Sequence, residues 1–400
     1  MGLVAERLKT IKPSPTLAMT KKAAELKAEG KDIIALSVGE PDFDTPEFIK
    51  KAAIEAMEKG QTKYTNVDGT PNLKKAIQEK FKKENNLDYK LSEIIVGTGG
   101  KQVLYNAILA SVNPGDEVII PAPYWVSYID IVALAEGVPV IAVCPEEDKF
   151  RLKAEHLEKY ITPKTKWLIL GSPSNPSGAA YSKEELRAIA DVLLKHPHVH
   201  ILSDDIYEHL IYDGLKFYTI AEIEPQLKSR TLTLNGVSKS YSMTGWRIGY
   251  AGGPEDLIKA MGALQSQSTS NPSSISQAAA HGALTGPQDF LKEWKAIFEK
   301  RRDYMVERLN KMTGITCLKP EGAFYVFPSC KQLMGKKTEG GKVINDSNDF
   351  STYLLEEALV ATVPGVAFGM EGYFRISYAT NEKNLEEACN RIEKAVSKLV

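Results

Sequence analysis

Short apolar runs alternate with amphipathic helical stretches between residues 93 and 251 of the chain. The runs are bounded by turn-forming residues and predict strands at 94–96, 118–120, 139–143, 166–170, 199–202 and 231–234. Apolar residues at helical spacing lie between several of them, notably in 102–112 and 183–194. This alternation predicts a mostly parallel sheet covered by helices, with a ligand crevice where the strands end.

The pattern changes on either side of that region. Before it, apolar spacing predicts helices at 17–27, 46–59 and around Leu73 and Ile77, with a strand at 32–38. After residue 254, predicted helices and strands follow at 275–284, 289–312, 322–328, 347–358, 360–363, 373–378 and 382–399. This second alternation predicts a smaller α+β domain.

The composition is that of an ordinary globular protein. The 400 residues are 43% hydrophobic and 25% charged, with a net charge of −1, so there is no basic field for nucleic acid. No stretch approaches the roughly 20 apolar residues that cross a bilayer, and the first residues lack a signal-peptide core. We therefore expect a cytoplasmic protein that binds small molecules or copies of itself.

Histidines and cysteines do not indicate a metal site. His196, His198 and His200 form a cluster, but no second set of ligands accompanies it. The cysteines have no CxxC spacing and are Cys144, Cys317, Cys330 and Cys389. We expect no bound metal.

The stretch 231–250 places a lysine between two apolar runs. Leu232 and Leu234 alternate with threonines as in a half-buried strand, and 246–251 predicts a second strand. The loop between them brings Lys239 and Arg247 towards one place. A desolvated amine loses its proton more easily and forms a Schiff base with an aldehyde, and a guanidinium suits phosphate. The pair fits an aldehyde-bearing phosphorylated cofactor such as pyridoxal phosphate, although most lysines are simply solvated.

A glycine-rich turn at 97–102 follows the first strand of the predicted sheet and opens a helix, where backbone N–H groups face an anion. It is not a Walker A loop, because Ile95 replaces the first glycine and Gln102 replaces Ser or Thr. Gln102 also replaces the last glycine of a dinucleotide fingerprint. We expect a phosphate site here.

Three further loops follow predicted strands. Trp125, in 121–128, is either core or a ring that stacks on a flat cofactor. Asn175, in 172–178, is either a turn former or a donor to a phenolate oxygen. Asp204, in 203–208, is a partly desolvated carboxylate that requires a cationic partner, such as a protonated pyridine nitrogen.

Taken in order, these motifs resemble those of class I, pyridoxal-phosphate-dependent aminotransferases of fold type I. The resemblance is strongest to the bacterial aspartate and aspartate/prephenate aminotransferases, and it covers nearly the whole chain. The matching motifs are 39–46, 121–125, 174–178, 203–207, 238–239 with 243–247, and 374–378. The resemblance implies an α/β fold, with a mostly parallel seven-stranded sheet sandwiched by helices and a smaller α+β domain.

The resemblance also implies roles at the cofactor ring. Lys239 would hold the cofactor as a Schiff base and move the substrate's proton. Asp204 would pair with the pyridinium nitrogen, Asn175 and Tyr207 would hydrogen-bond the ring oxygen, and Trp125 would stack on the ring.

A second group of implied residues binds phosphate. Arg247, Gly100 and Lys101 would hold the phosphate, and Tyr64 would reach the phosphate of the neighbouring subunit. The active site would then need two subunits, so we expect a homodimer.

The substrate would bind between the two domains. Arg375 would clamp its α-carboxylate, with help from the Gly39 backbone, Trp125 and Asn175. The aspartate aminotransferases of animals and enteric bacteria supply an arginine to the distal carboxylate from a motif resembling 270–272, where this chain has none. The candidates for that carboxylate are Lys101 and Lys12, supported by Ser14, Thr16 or Asn271.

We therefore expect reversible ping-pong transamination between L-aspartate and 2-oxoglutarate, with prephenate as an alternative acceptor. Three other activities fit the sequence less well: a lyase or decarboxylase on the same scaffold, a catalytically silent regulator, and a nicotinamide-dependent dehydrogenase. We expect a large cofactor-binding domain over 46–290 and a small domain over 291–400. The N-terminal segment, 1–45, would belong to the small domain and the active-site entrance.

Overall fold

The computed structural model describes residues 3–11 and 15–400. Within these ranges the α-helices are α1 Pro15–Ala28, α2 Glu47–Glu58, α3 Pro71–Asn85, α4 Gly100–Ser111, α5 Ser127–Leu134, α6 Ala154–Tyr160, α7 Lys183–Leu194, α8 Ile220–Ile223, α9 Glu255–Ser266, α10 Ser274–Thr285, α11 Asp289–Asn310, α12 Ser347–Glu357 and α13 Glu382–Ser397. The strands are β1 Ile34–Ala35, β2 Ile94–Gly97, β3 Glu117–Ala122, β4 Val138–Val143, β5 Thr165–Gly171, β6 His200–Asp204, β7 Thr231–Gly236, β8 Gly249–Gly252, β9 Tyr325–Val326, β10 Val360–Ala361, β11 Val363–Pro364 and β12 Phe374–Ser377.

A seven-stranded sheet forms the centre of the region between residues 94 and 252, with the strand order β2-β8-β7-β6-β5-β3-β4. Its neighbouring strands are parallel except at β8, which runs antiparallel to both β2 and β7. The mostly parallel, helix-covered sheet predicted from the sequence is confirmed. The carboxyl ends of β2, β3, β5, β6 and β7 consequently lie along one edge.

The sheet is buried on both faces, which explains why its strands are apolar runs without polar alternation. Val118 and Ile120 of β3 pack in a cluster with residues of α4, α5 and α9. Ile119, between them, packs on the opposite face with Leu186 and Ile189 of α7. Successive side chains of a strand point to opposite faces, so each strand stabilises both helical layers.

The strand predicted over 246–251 is partly wrong. Residues Thr244–Trp246 form a 3-10 turn, and Arg247 has a φ of 58°, so the strand begins only at Gly249. A Cβ added at Gly249 would lie 2.2 Å from the backbone nitrogen of Gly100. The prediction began the strand three residues too early, because the hydrophobic pattern does not show the contact between the backbones at Gly249 and Gly100.

The C-terminal region forms a second core. Strands β11, β12 and β9 make a three-stranded antiparallel sheet, and β1 pairs in parallel with β10, with Ile34 opposite Val360. The predicted strand at 32–38 is therefore reduced to two paired residues. Helix α13 buries one face, which includes Leu385, Cys389 and Ile392, at helical spacing. Among the described residues, no helix combines the length and apolar character that crossing a membrane requires.

Two adjacent leucines at the end of α7 differ in burial, and this difference allows a test of how the helix packs. Leu193 is 0% exposed and Leu194 is 36% exposed. Leu193→Ala should lower the free energy of unfolding by about 2–5 kcal/mol, because it leaves a cavity. Leu194→Ala should change it by less than about 0.5 kcal/mol. Denaturant unfolding followed by circular dichroism measures both variants, and equal losses would contradict this packing.

Candidate active site

A cavity of about 500 Å³ lies at the carboxyl edge of the large sheet, a size typical of small-molecule sites. Its walls come from the loops after β2, β3, β5, β6 and β7, together with Tyr325 and Arg375 from the C-terminal region. The lining includes Trp125, Asn175, Asp204, Lys239 and Arg375. The structure thus brings together residues that are far apart in the chain, such as Trp125 and Arg375, which are separated by 250 positions.

Lys239 lies in the loop that follows β7. Its Nζ donates a hydrogen bond to the carbonyl oxygen of Gly39 at 2.6 Å. Burial lowers the pKa of the amine to about 8, the positive charge of Arg375 adds to this effect, and the carboxylate of Glu40 opposes it. A pKa near 8 leaves about a tenth of the amine neutral, and nucleophilic, at pH 7.

Asp204 ends β6 and is buried. One carboxylate oxygen accepts a hydrogen bond from the Tyr128 hydroxyl at 2.7 Å, and the other accepts one from the Ile206 amide at 3.4 Å. Burial raises the pKa of Asp204, while the hydrogen bond from Tyr128 lowers it. A cation bound beside this carboxylate would stabilise its ionised form.

Arg375 extends from β12 into the cavity. Its guanidinium donates to Asn175 Oδ1 at 2.8 Å and to the Ser37 carbonyl oxygen at 2.5 Å, and it lies 4.6 Å from the Tyr325 ring centroid. Its Nε has no hydrogen-bond partner among the described residues. Burial lowers the pKa of this arginine. A buried guanidinium with unused donor capacity suits a carboxylate ligand.

Two tyrosines that the sequence did not single out support these groups. The Tyr128 hydroxyl donates to Asp204, a contact that depends on how α5 packs and that no sequence pattern indicated. Tyr325 forms a hydroxyl-to-hydroxyl hydrogen bond of 2.8 Å with Tyr207. A Cβ at Gly39 would lie 2.4 Å from the Tyr325 hydroxyl, so the 38–40 segment packs directly against it.

Gly100, Lys101 and Arg247 meet at the N-terminus of α4. A Cβ on Gly99, where φ is 82°, would lie 2.3 Å from an Arg247 nitrogen, so only glycine admits the guanidinium here. The Lys101 Nζ lies 4.8 Å from the Trp125 ring centroid. Burial, and next the charge of Arg247, lower the pKa of Lys101. Two cations beside the free N–H groups of a helix form an anion site.

Some of the predicted residues lie elsewhere. The Tyr64 side chain is 93% exposed and does not belong to the described cavity lining of its own chain. Lys12 and Ser14 lie outside the described residues, as does the side chain of Thr16. Asn271 lies in the loop after α9, where its amide donates to the Pro272 carbonyl oxygen.

A group of possible metal ligands lies away from the cavity. Glu84, Glu208 and His209 bring ligand atoms within 4.8 Å of one another. The ammonium group of Lys80 is ion-paired with Glu208 and lies 3.7 Å from a Glu84 oxygen. The Lys80 side chain therefore already provides a positive charge beside these possible metal ligands.

The chain matches a known family along most of its length. The family described as aminotransferase class I and II matches residues 31–392. The chain belongs to this family. A relative named probable aspartate/prephenate aminotransferase, from Rickettsia bellii, is 63% identical over 399 residues, which are 100% of both chains. An aspartate aminotransferase from Rhizobium meliloti is 59% identical over 395 residues, 99% of this chain and 96% of the other.

Solved structures of aminotransferases share the whole fold. The aspartate aminotransferase from Rhizobium meliloti superimposes with a TM-score of 0.97 at 58% identity, covering 100% of both chains. The aspartate aminotransferase from Thermus thermophilus with maleate gives a TM-score of 0.92 at 42% identity, covering 99% of this chain and 100% of the other. The protein is thus an aminotransferase, and the fold class expected from the motifs is confirmed.

The lowered pKa of Lys239 predicts how its reactivity depends on pH. In the cofactor-free protein, acetylation of Lys239 should rise with pH to a midpoint near 8. That midpoint is about two units below the value of an ordinary lysine, because the folded protein disfavours the charged amine. Peptide mass spectrometry measures the labelling, with exposed lysines as the internal reference. Arg375→Leu should move the midpoint upward by removing a repelling charge, and a wild-type midpoint near 10 would contradict the electrostatics.

Proposed function

We propose that this aminotransferase transfers the amino group of L-aspartate to 2-oxoglutarate, giving oxaloacetate and L-glutamate by a ping-pong mechanism on pyridoxal phosphate. The proposal rests on one observation: an amine with a lowered pKa, a buried carboxylate and a buried guanidinium line the same cavity. These are Lys239, Asp204 and Arg375. The names of the relatives, aspartate and aspartate/prephenate aminotransferase, support aspartate as the donor and leave prephenate as an alternative acceptor.

The residues present fit the cofactor that the family implies. Asp204 is buried and needs a cationic partner, which a protonated pyridine nitrogen would provide. The anion site at Gly100, Lys101 and Arg247 suits the phosphate, and the Gly99 turn leaves room that a side chain would fill. Pyridoxal phosphate supplies, when bound, an aldehyde and a ring that accepts electrons.

The residues of the chain would divide the remaining tasks. Lys239 would bind the aldehyde and, once released by the substrate, remove and return the proton at the substrate's α-carbon. Arg375 would bind the α-carboxylate, assisted by Asn175, which already contacts its guanidinium. Tyr207 and Asn175 would donate to the ring oxygen, and Trp125 would cover the ring face.

A dicarboxylic substrate needs a second cation. Lys101 is our candidate, because it lines the cavity beside Trp125 and has a lowered pKa that an anionic neighbour would restore. Lys12 remains a second candidate outside the described residues. The Thermus thermophilus relative is described with maleate, which is also a dicarboxylate and so supports this substrate class.

We further infer a homodimer and a division into domains. Tyr64 is directed into solvent, as expected for a residue that completes the phosphate site of a neighbouring subunit. The proposed domains are 46–290 and 291–400, with the segment 1–45 joined to the small domain. The pairing of β1 with β10 supports that last assignment.

A visible absorption spectrum tests the half-reaction. The protein loaded with cofactor should lose its long-wavelength band when L-aspartate is added without keto acid, and 2-oxoglutarate should restore the band. Lys239→Ala should lower turnover by at least about 10⁴-fold, because the group that both binds the aldehyde and moves the proton is lost. Lys216→Ala, at an exposed lysine over the Tyr218 ring, is the control and should leave turnover unchanged.

Either of two results would count against this function: a band that L-aspartate leaves unchanged, or turnover retained in Lys239→Ala. Restoration of the band by prephenate, at a rate comparable with that of 2-oxoglutarate, would establish the alternative acceptor.

The distal cation makes a separate prediction about specificity. Lys101→Ala should raise KM for L-aspartate at least about tenfold more than KM for a monocarboxylic amino acid, since a charge-assisted hydrogen bond is lost only with the former. Arg375→Ala should raise both KM values alike, because every amino acid has an α-carboxylate. Steady-state kinetics with the two donors measures the ratios. An equal effect of Lys101→Ala on both donors would assign the lysine to the phosphate alone.

A further inference from the structure

The loop that precedes α3 exposes Tyr64 and is nevertheless firmly anchored. The Gly69 amide bonds the Asn66 carbonyl at 3.1 Å, and the Val96 amide bonds the Asp68 carbonyl at 2.9 Å. Gly69 has a φ of 112°, and a Cβ there would lie 2.6 Å from the Val96 side chain. The loop backbone is thus fixed against β2 by local contacts.

Gln277, from α10, contacts both ends of this loop. Its Oε1 accepts a hydrogen bond from the Thr70 amide at 2.8 Å, and its Nε2 donates to Thr65 Oγ1 at 3.0 Å. The same Nε2 donates to the Pro272 carbonyl oxygen at 2.9 Å. Gln277 is 0% exposed, and removing its amide would break all three of these hydrogen bonds, although the Thr65 hydroxyl and the Pro272 carbonyl oxygen would keep their bonds to Asn66 and Asn271.

A second buried glutamine holds the middle of the loop. Gln265, from α9, is 0% exposed and donates to the carbonyl oxygens of Val67 at 2.7 Å and Val96 at 2.9 Å. Its Oε1 accepts from Asn106 Nδ2 at 2.9 Å. The segment directly after Tyr64 is therefore bonded at several positions from the interior of the domain. Neither glutamine belongs to the described lining of the cavity.

We propose that Gln277 is a positioning residue, which fixes the 65–70 loop so that Tyr64 reaches the cofactor phosphate bound by a second copy of this chain. The inference rests on the proposed function and its homodimer. Thr65, the neighbour of Tyr64, is bonded directly by the glutamine, so the direction of the tyrosine depends on this amide. Gln277 would affect the cofactor site of the partner subunit and not that of its own subunit, because the Tyr64 side chain projects from the surface of its own chain.

The first test measures the loop without the cofactor. In the cofactor-free protein, Gln277→Leu should increase hydrogen exchange of the peptide containing residues 65–70 at least about tenfold, because the bonds that hold Thr65 and the Thr70 amide are lost there. Gln288→Leu is the matched control. Gln288 bonds the Ala283 and Gly286 carbonyl oxygens and the Tyr241 hydroxyl at the other end of α10, so its loss should leave that peptide unchanged. Unchanged exchange in Gln277→Leu would overturn the proposal.

The second test separates action on the partner's site from a structural role. Gln277→Leu and Tyr64→Phe should each weaken binding of pyridoxal phosphate about tenfold, the effect of about one lost hydrogen bond, and Gln288→Leu should not. Hybrid dimers are then assembled from one Gln277→Leu subunit and one Lys239→Ala subunit. Borohydride reduction fixes the cofactor only on the subunit that retains Lys239, and mass spectrometry measures the fixed fraction against cofactor concentration.

The hybrid should regain wild-type affinity in the subunit that carries Gln277→Leu, because the intact loop comes from its partner. Affinity that stays weak there would show that Gln277 serves its own cavity, and a monomeric wild-type protein would also overturn the proposal. Failure of the proposed function has a different signature, since the wild-type protein would then not bind pyridoxal phosphate at all.

Discussion

Two cationic groups share one buried cavity, and the loss of solvation that burial imposes on both, with their mutual repulsion second, sets the chemistry of the site. The Lys239 amine and the Arg375 guanidinium both lose solvation, and each disfavours the charge of the other. Arginine holds its proton far more strongly than lysine, so the lysine is the group that loses its proton first as the pH rises. The surroundings of Lys239 therefore favour the neutral, nucleophilic form of its amine.

Parallel strand order explains why separate stretches of the chain meet at this cavity. Strands β5, β6 and β7 are neighbours, and the residues that follow them, Asn175, Asp204 and Lys239, therefore occupy one edge. The glycine-rich turn after β2 reaches the same edge only because β8 inserts in the opposite direction between β2 and β7. Strand β12 then contributes Arg375 to the same cavity.

Much of this arrangement was predictable from the sequence, and the exceptions have physical causes. Residues at the ends of apolar strands could be placed, because strand direction follows from alternation with helices. The contact between the Tyr128 hydroxyl and Asp204 could not be predicted, because it depends on how α5 packs. The bond from Arg375 to Asn175 could not be predicted either, because it joins residues 200 positions apart. The start of β8 was misplaced because a contact between two backbones leaves no hydrophobic pattern.

That contact between β8 and the glycine turn limits which variants the protein can tolerate. Gly249 has no place in the cavity lining, yet its Cα faces the backbone of Gly99 and Gly100 with no room for a methyl group. A side chain at 249 would displace the turn and with it the helix end that faces Arg247. A variant at position 249 would damage the anion site without removing any group that binds the anion. Residue 249 would touch no ligand, yet the variant would show the same defect as a mutation in the binding site itself.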